Sequence, residues 1–315
     1  VSSVLSVEGL VIGVSDLDAH RRLFHRGFGL EVVAETALSV DDVEALYGLR
    51  GQSGRLVQLA TAGTAIGVQL VVLDPGSERV IRGAARGIDA EALKVIDFMT
   101  QDFDGAVRRL EEAGFPLASE PARYEVAGVG RFTEGHVDGP DGVKCAILQQ
   151  HDPGWKRFAT VTDRLFSEII GFSSPIVDPE PVHSFFEVMG LAEVFRYDFE
   201  SETFSAMIGL DRPTHVVGVN YGLSPKEPMI GTIHYGLPKD SYRSLAEHAW
   251  LPHRGLAGVR LRVETTADLA VACRNAGYEI VSGPSSVRLG PWGDLRVLNV
   301  RGPHGIVHHC VQQEE

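Results

Sequence analysis

A carboxylate and an imidazole stand two residues apart in RFTEGHVDG, at Glu134 and His136. Side chains two apart on an extended strand project from one face, so the pair can share a pocket. Asp97 and Met99 stand in the same relation in LKVIDFMTQD. Two carboxylates buried near an imidazole are pushed toward neutral pKa values and can act as general acid and base without a metal. A further alternating pair, Arg260 and Arg262 in GVRLRVETT, could bind a carboxylate, phosphate or phenolate through paired hydrogen bonds. Each set also has an ordinary use. Glu134 and His136 at a sheet rim would be solvated, and the arginines could pair with acids of a neighbouring unit. His308, His309 and Cys310 resemble a metal cluster, but adjacent strand residues face opposite ways, which puts one imidazole outside. His20 and His25 are expected on an exposed helix face. Trp250 and Pro252, in HAWLPHRG, suit either a lid or a packed junction.

The elements that position these residues come from an internal repeat. The segment from Glu120 aligns without a gap on the segment from Gly283, an offset of 163 residues. Pro121 falls on Pro284, Gly130 on Gly293, Gly139-Pro140 on Gly302-Pro303 and Gln149-Gln150 on Gln312-Gln313. Self-similarity at a fixed period marks repeated supersecondary units. Each copy reads β-α-β-β-β: a strand, a helix closed by Gly114 or Gly277, and three strands, the last two joined by a tight turn. The first part of each half gives a looser version, with DDVEALYG as an inserted helical turn. In the third unit FSAMIGLD and VVGVNYGL are expected as the last two strands, and LSPKEPMIG as a linker.

The predicted class is therefore α+β, four βαβββ modules at 1–75, 90–150, 165–225 and 255–315. A curved sheet with one apolar face needs a partner. Modules one and two are expected to pair as an open-barrel domain over 1–150, and modules three and four as a second over 158–315.

Composition narrows the function. A net charge of −13 repels phosphate backbones, so nucleic acid is not an expected partner. No apolar run reaches the ~18 residues that cross a bilayer, and a membrane partner is not expected either. The opening VSSVLSVEGLVIGV lacks the basic flank of a signal peptide, and Cys145, Cys273 and Cys310 form no CxxC pair, so the expected location is cytoplasmic. The expected partner is a small-molecule ligand, with a homodimer left open.

The stretch SVEGLVIGVSDLDAHRRLFHRGFGLEV resembles the opening of glyoxalase, bleomycin-resistance and extradiol-dioxygenase modules: a strand ending in V-x-D-L, a helix, then a G-L pair. GPDG before an alternating strand is similar to the closing hairpin of that vicinal oxygen chelate superfamily. The resemblance covers nearly the whole chain, in the four-module form of the two-domain extradiol dioxygenases. It implies metal ligands on the first and last strands of a module. The corresponding residues here are Gly9, Val95, Gly171 (or Ile170) and Gly258 on first strands, and Gln69, Ala146, Asn220 and His309 on last strands. Glycine, valine and alanine offer no donor, so no metal or other cofactor is expected. With Val95 inward, Asp97 and Met99 follow it, and Glu134 and His136 occupy family pocket positions. Gln69 is expected to join them in the first barrel. Arg260, Arg262, His309 and Asn220 are expected to line the second.

Two functional classes stay open. One is a metal-independent isomerase, lyase or cyclase acting on a hydrophobic or aromatic carbonyl or acid compound. There His136 or Glu134 would abstract a proton, and an arginine or amide would stabilise the enolate. The other is a sequestering protein like the antibiotic-binding members of the family, which the aromatic content of 8% does not favour. A weaker alternative is an iron dioxygenase relative with ligands moved to Asp97, Glu134 and His136.

Overall fold

The helices start where short polar side chains can cap them. Asp16, Asp102 and Thr265 each accept a hydrogen bond from a backbone N–H of the first turn that follows. The computed structural model describes residues 4–152 and 157–314. Module one contains β1 (Val4–Gly13), α1 (Leu17–Arg21, continued by a π-helical turn over Arg22–Gly27), β2 (Glu31–Leu38), α2 (Val40–Tyr47), β3 (Ser53–Ala60) and β4 (Gly67–Asp74). Module two contains β5 (Val95–Thr100), α3 (Phe103–Glu112), β6 (Ala122–Val126), β7 (Gly130–Asp138) and β8 (Lys144–Gln150). Module three contains β9 (Phe166–Pro175), α4 (Glu180–Val188), β10 (Ala192–Glu200), α5 (Glu202–Met207), β11 (His215–Gly222) and β12 (Met229–His234). Module four contains β13 (Gly255–Val263), α6 (Thr266–Asn275), β14 (Glu279–Leu289), β15 (Gly293–Arg301) and β16 (Val307–Gln313). Among the described residues, no helix is long and apolar enough to cross a membrane.

The fold class follows the sequence reading, but the partnership of modules does not. One eight-stranded sheet runs β14-β15-β16-β13-β1-β4-β3-β2, and the other β10-β11-β12-β9-β5-β8-β7-β6. Module one pairs with module four, and module two with module three, in place of the expected one-with-two and three-with-four. The seam is an antiparallel pairing of first strands, β1 with β13 and β5 with β9. Every module presents such an edge, so periodicity cannot choose between them. Side-chain complementarity does. Glu8, at a register irregularity of β1, forms an ion pair with Arg260 of β13 and sits 3.6 Å from Arg262. At Gly9, with φ of +119°, a Cβ would lie 1.8 Å from the Gly67 carbonyl oxygen, so only glycine fits between β13 and β4 there.

Module three also departs from its expected strands. Ser201 caps the chain into α5 by accepting a hydrogen bond from the Phe204 N–H, so FSAMIGLD supplies no strand. This helix repeats the place of α2 in module one. VVGVNYG is then the third strand, and the fourth is MIGTIH, which begins inside the expected linker. The last-strand position opposite Asn220 is therefore Gly231.

Strand alternation builds three cores. Leu10, Ile96, Phe98, Ile147, Val259 and Cys310 point from both sheets onto the helices, which meet in one shared layer. Here Phe28 stacks on Phe98 at 4.1 Å between ring centroids, and Phe185 of α4 packs on His308 at 4.9 Å. The opposite faces line two cups. His308 and His309 do face opposite ways, yet neither reaches solvent, because one meets the helix layer and the other a cup. His20 is also buried, bonded to Asp141 at 3.1 Å, whereas His25 is exposed.

Two outcomes follow. Glu8→Ala strands the buried Arg260 guanidinium and should cost on the order of 3 kcal/mol in denaturant unfolding. Arg262→Ala, at an exposed partner, should cost less than about 1 kcal/mol; equal losses would deny Glu8 its seam role. Burial pushes the His308 imidazole from 6.5 down to about 3, despite nearby Val300 and Ile306 carbonyls. Between those values the unfolded chain binds the extra proton, so this contribution to stability falls as pH drops below 6.5. His308→Leu should therefore lose less melting temperature than the wild type when pH is lowered from about 7.5 to about 4.5. Parallel losses would contradict the assignment.

Candidate functional site

The cup of modules two and three keeps a cavity of about 120 Å³. β5 contributes Val95, Asp97 and Met99, and β7 contributes Phe132, Glu134 and His136, each set at the spacing of two that places it on one face. β10 adds Phe195, Tyr197 and Phe199, and β11 adds Asn220. Most of the wall is apolar, and seven aromatic residues line it. Tyr124 stacks on Phe199 at 4.5 Å and on Phe132 at 5.6 Å.

Five of the sequence-derived site residues thus line one cavity: Asp97, Met99, Glu134, His136 and Asn220. Asp97 and His136 lie in one row across the sheet with Ala146 between them. That register sets their backbones two strand spacings, ~10 Å, apart, with a methyl group as the floor.

The polar groups are wired unequally. Tyr124 donates its hydroxyl proton to Glu134 Oε2 at 2.5 Å, and His136 Nε2 lies 2.8 Å from Glu134 Oε1. Burial works to raise the Glu134 pKa, but the hydrogen bonds from His136 and Tyr124 outweigh it and hold the group below the usual carboxylate range. Glu134 is therefore an ionised acceptor, and Nε2 of His136 must carry the proton. Burial lowers the His136 pKa, so the ring is neutral with its lone pair on Nδ1. That nitrogen is not among the buried, unpartnered atoms. Asp97 behaves oppositely. Burial, followed by the negative charge of Glu134, raises its pKa well above the carboxylate range, so it holds its proton. Two carboxyl groups with opposed shifts thus face one cavity.

Four polar residues of this cavity were not anticipated: Lys94, Tyr124, Ser173 and Tyr197. Lys94 is 4% exposed, and its Nζ lies 2.9 Å from the Tyr235 hydroxyl. Strand alternation directs residue 94 away from Val95, but Lys94 stands just ahead of β5 and escapes that rule. A lysine set directly against the buried run VIDFM was the signal available in the sequence.

The remaining candidates lie in the other sheet. Gln69 is buried beside Gln58, whose side-chain oxygen accepts a hydrogen bond from the Trp292 indole at 2.9 Å, so it does not join Glu134 and His136. Module pairing is the reason. Arg260 and Arg262 meet Glu8 of the neighbouring module, and Arg262 is exposed. His309 lies 2.8 Å from the Asn299 side-chain oxygen, and burial pushes its pKa down to about 3. This second cup is filled by Leu46 and Tyr47 of α2 and by Trp250 of the inter-module connection. A Cβ at Gly258 would lie 2.6 Å from the Trp250 ring, so the indole covers that family ligand position. Trp250 packs the junction; it is no mobile cover.

The divalent ion of the fold family does not fit these residues. Val95 and Ala146 carry no donor at their ligand positions, and Asn220 covers Gly231. Glu134 and His136 spend their facing atoms on each other. Among the described residues, no three His, Cys, Asp or Glu side chains gather as a group able to hold a metal ion, so the relocated set Asp97, Glu134 and His136 does not form one.

The sequence profile of the Glyoxalase/Bleomycin resistance protein/Dioxygenase superfamily matches residues 6–147. No curated protein sequence matches the chain significantly. Among solved structures, glyoxalase I from Zea mays is similar over 98% of this chain and 92% of its own, at 14% identity and a TM-score of 0.63. A putative dioxygenase from Bacillus subtilis subsp. subtilis str. 168 is similar over 100% of this chain and 87% of its own, at 13% identity and a TM-score of 0.59. At such identities the likeness is one of fold. The profile match covers the first two modules, and the solved structures share the fold of the whole chain.

Proposed function

We propose that the cavity of modules two and three carries out metal-independent acid–base chemistry, of the isomerase, lyase or cyclase type, on a small hydrophobic or aromatic carbonyl compound. The observation that carries this reading is one cavity lined by Asp97, Glu134 and His136, with His136 Nε2 held 2.8 Å from Glu134 Oε1. His136 Nδ1 removes a proton from the carbon beside the carbonyl. Glu134 fixes the tautomer through Nε2–H and stabilises the imidazolium that forms, as an acidic partner does in a catalytic triad. Asp97 donates toward the carbonyl oxygen as the enolate develops. The arginine first considered for that task faces Glu8, outside this cavity. The aromatic walls hold the body of the substrate and exclude water.

The stacked Tyr124, Phe132 and Phe199 also favour a second reading, sequestration of a flat apolar ligand without turnover. Deuterium exchange separates the two. With phenylacetone in D₂O, the wild type should speed exchange of the carbon-bound hydrogens. His136→Asn should slow it about 10²- to 10⁴-fold, with the Kd from calorimetric titration held within about threefold. Phenylacetone bound tightly with no acceleration supports sequestration and removes the acid–base reading.

The pH profile adds a check. Activity needs neutral His136 and protonated Asp97, so it should fall on the acid side with the lowered His136 pKa and on the alkaline side with the raised Asp97 pKa. Asp97→Asn should abolish the alkaline limb only. An unchanged limb would remove Asp97 as the acid.

A further inference from the structure

The acid–base scheme leaves the amine of Lys94 unused. Lys94 is almost fully buried, and its Nζ has a single hydrogen-bond partner among the described residues, the Tyr235 hydroxyl. No carboxylate lies within ion-pair distance of it among the described residues, although Asp97 and Glu134 line the same cavity. A structural lysine at such depth is normally paired with an acid, because an isolated buried ammonium is costly. A hydrocarbon side chain would fill this wall at lower cost.

We infer that Lys94 is a nucleophile that forms a Schiff base with the carbonyl group of an aldehyde or unhindered ketone seated against the aromatic wall. This inference rests on the cavity being the place of reaction, and it names the substrate class: a carbonyl compound whose carbonyl carbon can be attacked by an amine. The amine lone pair of Lys94 attacks that carbon, and the carbonyl oxygen takes the proton of Asp97. The nitrogen returns one proton to the Asp97 carboxylate. A second transfer from Asp97 releases the hydroxyl as water while the nitrogen lone pair closes the C=N bond, and loss of the last N–H proton restores Asp97. One amine and one carbonyl thus give one imine and one water. No oxidant or reductant is consumed.

The surroundings supply an uncharged amine. Burial pushes the Lys94 pKa down from 10.5 to about 7, the positive charges of Arg82 and Lys144 act in the same direction, and Glu134 opposes them. Tyr235 keeps its proton, since burial raises its pKa, and its hydroxyl oxygen accepts from Lys94 Nζ. Asp97 stands three positions after Lys94, protonated, with its side chain facing the same space. Amine and acid are thus held on one strand entrance by the backbone itself.

Reductive trapping tests the inference on the intact chain. Benzaldehyde with sodium cyanoborohydride is added near neutral pH, and peptides are mapped by mass spectrometry. Lys94 should gain one benzyl group at least tenfold faster than the exposed Lys226 and Lys239, with a rate that rises through about pH 7 and levels off above it. Lys94→Arg should take no label at that position. Formaldehyde is run in parallel as a probe small enough for any entrance. Preferential methylation of Lys94 without benzylation also supports the imine and restricts the substrate to a smaller carbonyl compound. Lys94 labelled no faster than the surface lysines by either aldehyde overturns the inference. The His136→Asn exchange defect would then persist and leave the acid–base reading intact. Labelled Lys94 without any His136 effect would separate the two in the other direction.

Discussion

A βαβββ module joins its four strands by three pairings and leaves two outer edges bare, those of its first and second strands. Burial of unpaired backbone donors and acceptors is costly, so the first of these edges must find another strand. Which two first strands meet decides which residues share a cup. Here β1 meets β13 and β5 meets β9. Glu8 finds Arg260 across the first seam, and Asp97 leans over Gly171 across the second, 3.6 Å from where a Cβ would stand. The wall that faces Asp97, Glu134 and His136 follows from that choice of neighbours.

The two cups then diverged in their filling. In one, α2 and Trp250 bring Tyr47, Leu46 and an indole into the space, and His309 is tied to Asn299. In the other, α5 occupies the place of α2 but delivers Phe204 to the wall, and space remains beside Asp97, Glu134 and His136. Strand chemistry alone does not separate a packed cup from an open one. The difference comes from the segments that enter from above.

Much of this could be read from the chain, and the failures have physical causes. The offset of 163 residues gave modules two and four correctly, because turn glycines and prolines are fixed by backbone geometry. Spacing of two gave the shared face of Glu134 and His136, and of Asp97 and Met99. Partner choice was not legible, since it depends on cross-strand contacts between residues some 250 positions apart, such as Glu8 and Arg260. Module three was misread because the cap at Ser201 outweighs the apolar run after it. Lys94 escaped alternation by standing outside the strand, and His308 was judged by a two-sided sheet in which both sides turned out to be buried.

The nested order of pairing, outer with outer and inner with inner, gives the chain the symmetry of a dimer folded into itself. Exchanging modules one and two for three and four carries each seam onto the other. A half-chain of two consecutive modules would own half of each cup and complete neither. The cavity wall is therefore never complete within one half: Asp97, Glu134 and His136 come from the first, while Phe195, Tyr197 and Asn220 come from the second. Such a layout lets one interface keep a cavity while its twin hardens into a keel, a division that a true homodimer, with two identical interfaces, could not make.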